Sequence, residues 1–201
     1  MKSTDRKKNF STKSSARQKK RSQSNLLPVI GGIALFAVVL VLGILVASNQ
    51  ANASTASIQG LLAFENLERG HTNGLVAYAQ NPPAGGQHNP AWQNCGVYSQ
   101  PVQNENAVHS LEHGAIWITY QPDLPADQLE QLQSLTRRSG YRLLSPYPGL
   151  PAPIVASAWG YQVQLEQADD PRLLTFIRKY EQNPLGPEPG AACTGGVGKP
   201  G

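Results

Sequence analysis

The chain has 201 residues, of which 17 are basic and 13 acidic, for a formal net charge of +4. That length holds one modest domain plus extra segments. Nine basic residues (Lys2, Arg6, Lys7, Lys8, Lys13, Arg17, Lys19, Lys20 and Arg21) fall in residues 1–25 against Asp5 alone, and the rest of the chain is net acidic. The high isoelectric point therefore belongs to the tail, and no nucleic-acid-binding domain is expected.

Residues 1–25 are polar and rich in Ser, Lys and Gln, the composition of an unstructured tail. Residues 26–47 carry no charge and are filled almost entirely by Leu, Ile, Val, Ala, Phe and Gly. A helix of about 20 such residues spans the hydrocarbon core of a bilayer. The basic flank precedes this run and the next basic residue is Arg69. The positive-inside rule then predicts a single-pass anchor with a cytoplasmic N-terminus and an extracytoplasmic C-terminal domain. The tail's lysines and arginines would also attract anionic lipid. The competing expectation is a cleaved signal peptide, for which Ala51-Asn52-Ala53 offers a small-x-small site. Residues 48–60 read as a flexible stalk, and residues 61–201 as the extracytoplasmic domain.

Within the domain, residues 74–79 are a short strand candidate, and residues 82–90, with Gly85-Gly86 and His88, form a loop. Residues 96–102 make a second strand candidate. Asn104 is placed to N-cap a helix running to His113, with Glu105 in its first turn and Gly114 as the left-handed residue after it. Residues 115–120 read as a buried strand. Residues 127–138 are an amphipathic helix, with Leu129, Leu132 and Leu135 three apart and Gly140 as the stop. Residues 141–144 follow as a strand, and the four prolines of residues 146–153 exclude regular structure there. Residues 154–159 and 161–165 form one bent strand or two, broken at Gly160. Asp169-Asp170-Pro171 starts a last helix over residues 172–182, with Leu173, Leu174, Ile177 and Tyr180 inward. This order predicts an α+β fold: a mixed or antiparallel sheet with helices on one face.

The two cysteines, Cys95 and Cys193, both fall in the outer domain, where an oxidising compartment favours a disulfide. A bridge between them would tether the Pro/Gly-rich C-terminal stretch; two free thiols are the alternative. They are not a Cys-x-x-Cys pair, so dithiol redox chemistry has no support.

The chain has four histidines, and two of them, His109 and His113, lie four apart in Val108-His109-Ser110-Leu111-Glu112-His113-Gly114. On a helix they share one face with Glu105 and Glu112. Two imidazoles at that spacing can ligate one ion, here zinc or copper. A third ligand is then needed; His88 is preferred and His71 is the other candidate. A structural role is the alternative, since a histidine is favoured at a helix C-terminus and can simply bond a carbonyl. The order His-x-x-Glu-His also fits a zinc hydrolase with Glu112 as general base and Glu166, Glu181 or Glu188 as a further acid, but the helix is short for that class. Gly195-Gly196-Val197-Gly198-Lys199 lacks the following helix that a phosphate loop needs, so no nucleotide is expected. Trp92, Trp117 and Trp159 are expected to pack rather than to bind.

Several segments resemble one family: Asn81-Pro82-Pro83 with Gly85 and His88, Trp92, Gly96-Val97-Tyr98, the His109–Glu112–His113 segment through Ala115, Ser145-Pro146-Tyr147-Pro148-Gly149-Leu150, Ala156-Ser157-Ala158-Trp159-Gly160 and Pro187-Glu188-Pro189-Gly190-Ala191. Together they resemble the bacterial domain of unknown function 3105 over residues 65–198. The resemblance implies a single-pass protein of the bacterial envelope and supplies no activity, so no catalytic role is carried over. The expectation is an inner-membrane-anchored α+β domain binding a transition metal through His109, His113, His88 and Glu112. The alternative is a metal-free module that binds another envelope protein.

Overall fold

The structure, a computed structural model, describes residues 57–201. The expected basic tail, membrane helix and most of the stalk lie outside the described residues. Among the described residues, no helix is long and apolar enough to cross a membrane.

The elements run β1 (Leu62–Ala63), β2 (Gly96–Val97), α1 (Asn104–Glu112), β3 (Ile116–Tyr120), α2 (Ala126–Thr136), β4 (Arg142–Pro146), β5 (Ile154–Ala158), β6 (Tyr161–Leu165) and α3 (Pro171–Tyr180). The strands form one mixed sheet in the order β1-β6-β5-β3-β4-β2. β4 lies parallel to both β3 and β2. β5 pairs antiparallel with β3 and β6, and β1 antiparallel with β6. The fold is thus α+β, as expected.

Helices cover both faces of this sheet, not one. The reason lies in β3, Ile-Trp-Ile-Thr-Tyr, where every position is buried. Alternate residues of a strand point to opposite faces. Ile116, Ile118 and Tyr120 therefore join Leu144, Ile154, Ala156, Val163 and Leu165 on one side, where α2 supplies Leu132 and α3 supplies Leu173, Phe176, Ile177 and Tyr180. Trp117 and Leu143 face the other way, against Ala107 and Leu111 of α1. Full burial of an aliphatic or aromatic side chain stabilises a fold by about 1.5–3 kcal/mol. A strand apolar on both faces accordingly requires a layer on each.

Local chemistry explains the other departures. Residues 74–79 form no strand; the chain is held there by the Val76 N–H, which donates to Glu105 Oε1 at 3.0 Å. The strand expected over residues 96–102 shortens to Gly96–Val97: the Tyr98 N–H still donates to Leu144 O at 2.8 Å, but the chain then bends at Ser99-Gln100, ahead of Pro101. Asn104 is the first residue of α1 rather than its cap; Gln103 takes that position without a side-chain bond. α3 begins as expected, with Pro171 in the first turn and Asp170 accepting from the Arg172 N–H at 2.9 Å. It ends two residues earlier than expected, at Tyr180. Leu174 is 46% exposed, and Phe176 takes the inward position instead. Gly160 (φ +77°) turns the chain between β5 and β6, which are two strands of a hairpin.

Cys95 and Cys193 form the disulfide, with Cα atoms 5.4 Å apart. It fixes a C-terminal strap over α1 and β2. Val197 bridges Gln93, and the Gly201 N–H donates to Val97 O at 2.9 Å. The glycines near the end belong to this strap and not to a phosphate loop.

Candidate metal centre

α1 is short, yet its residues from Glu105 to Glu112 are all buried. Its polar face is covered by main chain. Residues 89–93 run along it, with Asn89 N–H donating to Glu105 O and Gln93 N–H to Asn106 O. Ser110 Oγ donates back to Gln93 O at 2.7 Å, and Asn106 Nδ2 to Ala91 O. A buried polar side chain is costly unless bonded. Here the pairing lets a polar helix face an interior and positions the residue just before the laced segment, His88. A second segment is added by a two-residue bridge. The Thr72 N–H donates to His88 O at 2.7 Å and the His88 N–H to Gly70 O at 3.1 Å, which pairs His71 with His88.

All four histidines of the chain consequently meet. Ring centroids lie 4.8 Å apart for His71 and His88, 5.0 Å for His71 and His109, 4.8 Å for His88 and His109, and 4.5 Å for His109 and His113. His71, His88, His109 and Glu112 each offer one ligand atom within 4.8 Å of the others. Donors held by one tetrahedral ion at about 2.1 Å stand about 3.4 Å apart. The group therefore closes on a single ion with side-chain shifts on the order of 1 Å. His88, His109 and Glu112 are buried, and His71 is exposed at the mouth.

The hydrogen bonds determine which ring nitrogen is free. His88 Nδ1 lies 2.8 Å from Gly86 O, His109 Nδ1 2.7 Å from Asn89 O, and His113 Nδ1 2.6 Å from Ala192 O. A carbonyl only accepts, so each Nδ1 carries a proton, and in the neutral ring the lone pair is then on Nε2. This carbonyl-to-imidazole support is the usual outer arrangement around a metal-bound histidine. His88 Nε2 lies 2.9 Å from Glu112 Oε2. The approach is not aligned as a hydrogen bond, and that nitrogen is buried without a donor. Two acceptors thus face each other at close range, an arrangement that a cation between them, either a metal ion or a proton, would stabilise. Burial pushes the His109 pKa down to about 4; the Asn89 carbonyl opposes this, and His113, His88 and His71 add to it.

His88, His109 and Glu112, expected as ligands, come together. His71, the other candidate for the third position, joins them. His113 stands outside the four, its ring against His109 and its Nε2 3.7 Å from Glu188 Oε2. Of the expected downstream acids, Glu181 is bound bidentately by Arg142. Trp117 packs as expected, fully buried with Nε1–H donating to Ser145 Oγ at 3.0 Å. Trp92 and Trp159 are different: they wall the cluster, Trp159 against His88 at 5.7 Å and Trp92 against His109 at 5.8 Å and His113 at 5.2 Å. Nothing in the sequence spacing signals these contacts, because the segments carrying Trp92 and Trp159 meet only in the folded chain. The support from Ala192 O is likewise non-local.

No curated protein and no solved structure matches the chain. A family model, a protein of unknown function termed DUF3105, matches residues 70–195, which span the disulfide, all four histidines and both walling tryptophans. The chain belongs to the DUF3105 family.

Proposed function

We propose that this protein is a membrane-anchored, extracytoplasmic metal-binding domain, holding one zinc or copper(II) ion through the Nε2 atoms of His88 and His109, a ring nitrogen of His71 and the carboxylate of Glu112. The observation that carries this reading is the pair of buried acceptors, His88 Nε2 and Glu112 Oε2, at 2.9 Å without an aligned donor. Three imidazoles and one carboxylate, with no thiolate or thioether, favour zinc or copper(II) over copper(I). The anchor rests on the uncharged residues 26–47 behind a basic flank, with anionic lipid as the tail's partner. The disulfide supports an oxidising compartment. Hydrolysis with Glu112 as general base is disfavoured, because a carboxylate that ligates the ion is not free to take a proton from water.

The test uses the full-length chain in detergent, stripped with chelator and titrated with zinc and with copper(II). One tight equivalent is expected, lost in His88→Ala and in His109→Ala. Absence of any bound metal in the parent chain refutes the reading. A second reading has the 2.9 Å contact as a shared proton, so that the cluster is structural and the domain binds an envelope protein. It predicts no metal dependence of any property. Protease digestion of the domain from the outer side of intact spheroplasts tests the topology.

A further inference from the structure

His113 is the histidine that the four-residue group leaves over, and its surroundings repeat the group's design. Its ring is buried at 4% exposure, and its Nδ1–H is held by a main-chain oxygen, Ala192 O, at 2.6 Å. Its Nε2 lone pair is therefore free. That nitrogen faces the Glu188 carboxylate at 3.7 Å, too far for a hydrogen bond, and the Glu188 side chain is 59% exposed. Donors held by one tetrahedral ion at about 2.0–2.2 Å stand about 3.4 Å apart, so the observed separation is within a few tenths of an ångström of a ligand pair. Trp92 closes one side of the His113 ring, and His109 closes another at 4.5 Å.

We propose that His113 Nε2 and Glu188 form a second cation position beside the first, taking a divalent transition ion of the zinc type with water as its remaining ligands. This rests on the reading of the four-residue group as a metal site, and extends it from one ion to two. With two protein donors, one of them exposed, the second position is weaker and exchanges faster than the first. Two like charges so close also repel, so the inner position fills first. The loop carrying Glu188 is fixed independently of its side chain: the Glu188 N–H donates to Glu112 O at 3.1 Å, and the Gly190 N–H to His113 O at 3.1 Å.

Calorimetric titration of the full-length, chelator-stripped chain with zinc tests the proposal. The parent should take two equivalents, the second at least ten-fold weaker. Glu188→Gln and His113→Gln should each take one, with the first affinity changed less than three-fold. Glu188→Gln alters an exposed side chain and keeps the fold, so a folding defect in His113→Gln does not obscure the result. One equivalent in the parent overturns the second position and leaves the inner group standing. Two equivalents persisting in both variants overturn the assignment to His113 and Glu188. No zinc bound at all overturns the second position together with the reading beneath it.

Discussion

Replacing Glu112 by Gln separates a metal site from a structural ion pair. The two side chains are nearly isosteric, but Gln offers an N–H where Glu offers only oxygen. Without a metal, the His88 Nε2 lone pair faces Glu112 Oε2 at 2.9 Å with no aligned donor between them. The amide introduced by Glu112→Gln would donate into that lone pair. A net hydrogen bond contributes about 0.5–1.5 kcal/mol, so the metal-free variant should be more stable than the parent by about 1 kcal/mol. Metal reverses the order. An ion at 100 times its Kd stabilises the parent by about 2.7 kcal/mol, and a neutral amide is a poorer ligand, so the variant gains much less. For a domain of this size, each kcal/mol moves Tm by about 2–4 °C. Thermal unfolding followed by near-ultraviolet circular dichroism at pH 8 should then place Glu112→Gln about 2–4 °C above the parent after chelation. With saturating zinc the parent should rise by about 5–11 °C and overtake it. If the variant instead melts well below the parent after chelation, and zinc moves neither, Glu112 is half of a buried ion pair, whose breaking costs about 3–5 kcal/mol, and the metal argument fails.

Three further outcomes follow from other parts of the molecule. His109 has its pKa lowered to about 4 by burial, below the roughly 6.5 of an unfolded chain, so the unfolded state binds more protons between those values; stability of the chelated protein is fully present above about pH 6.5 and is lost as pH falls toward 4, by at most about 3 kcal/mol. Denaturant titrations at pH 7.5 and 4.5 should show this loss, and it should shrink in His109→Gln. Gly114 has φ +92°, and an added Cβ would lie 3.0 Å from Gln182 Cα; Gly114→Ala should destabilise by more than about 1 kcal/mol, with faster amide exchange at Gln182, whose N–H donates to Gly114 O. Cys193→Ser should cost up to about 4–5 kcal/mol in the chain-entropy model, since the bridge spans 98 positions, and a denaturant midpoint unchanged from the parent would show that the bridge adds nothing to stability.

Much of the fold can be read from local pattern. The spacing of Leu129, Leu132 and Leu135 marks α2, the Asp170-Pro171 pair marks the start of α3, and Gly160 marks the turn between β5 and β6. The face of α1 that carries His109 and Glu112 follows from helical spacing alone. What spacing misses is non-local. His71 and His88 are aligned by a bridge between two irregular segments, and no periodicity predicts such pairing. The number of helical layers is hidden for the same reason. Trp117 between Ile116 and Ile118 carries the sign that β3 is covered on both sides, but which helix supplies the second cover depends on topology. α1 looks too polar for that role, since the partners of Asn106 and Ser110 are backbone atoms elsewhere in the chain.

Three imidazoles are aimed by the oxygens of Gly86, Asn89 and Ala192. Every amino acid carries that oxygen, so replacing the exposed Ala192 side chain leaves the aiming of His113 intact. Asn89 differs, because its Oδ1 also accepts from the Ala91 N–H at 2.9 Å and so holds the peptide that aims His109. Insertions, deletions or prolines that displace the peptide planes would misdirect the rings while leaving every ligand residue in place.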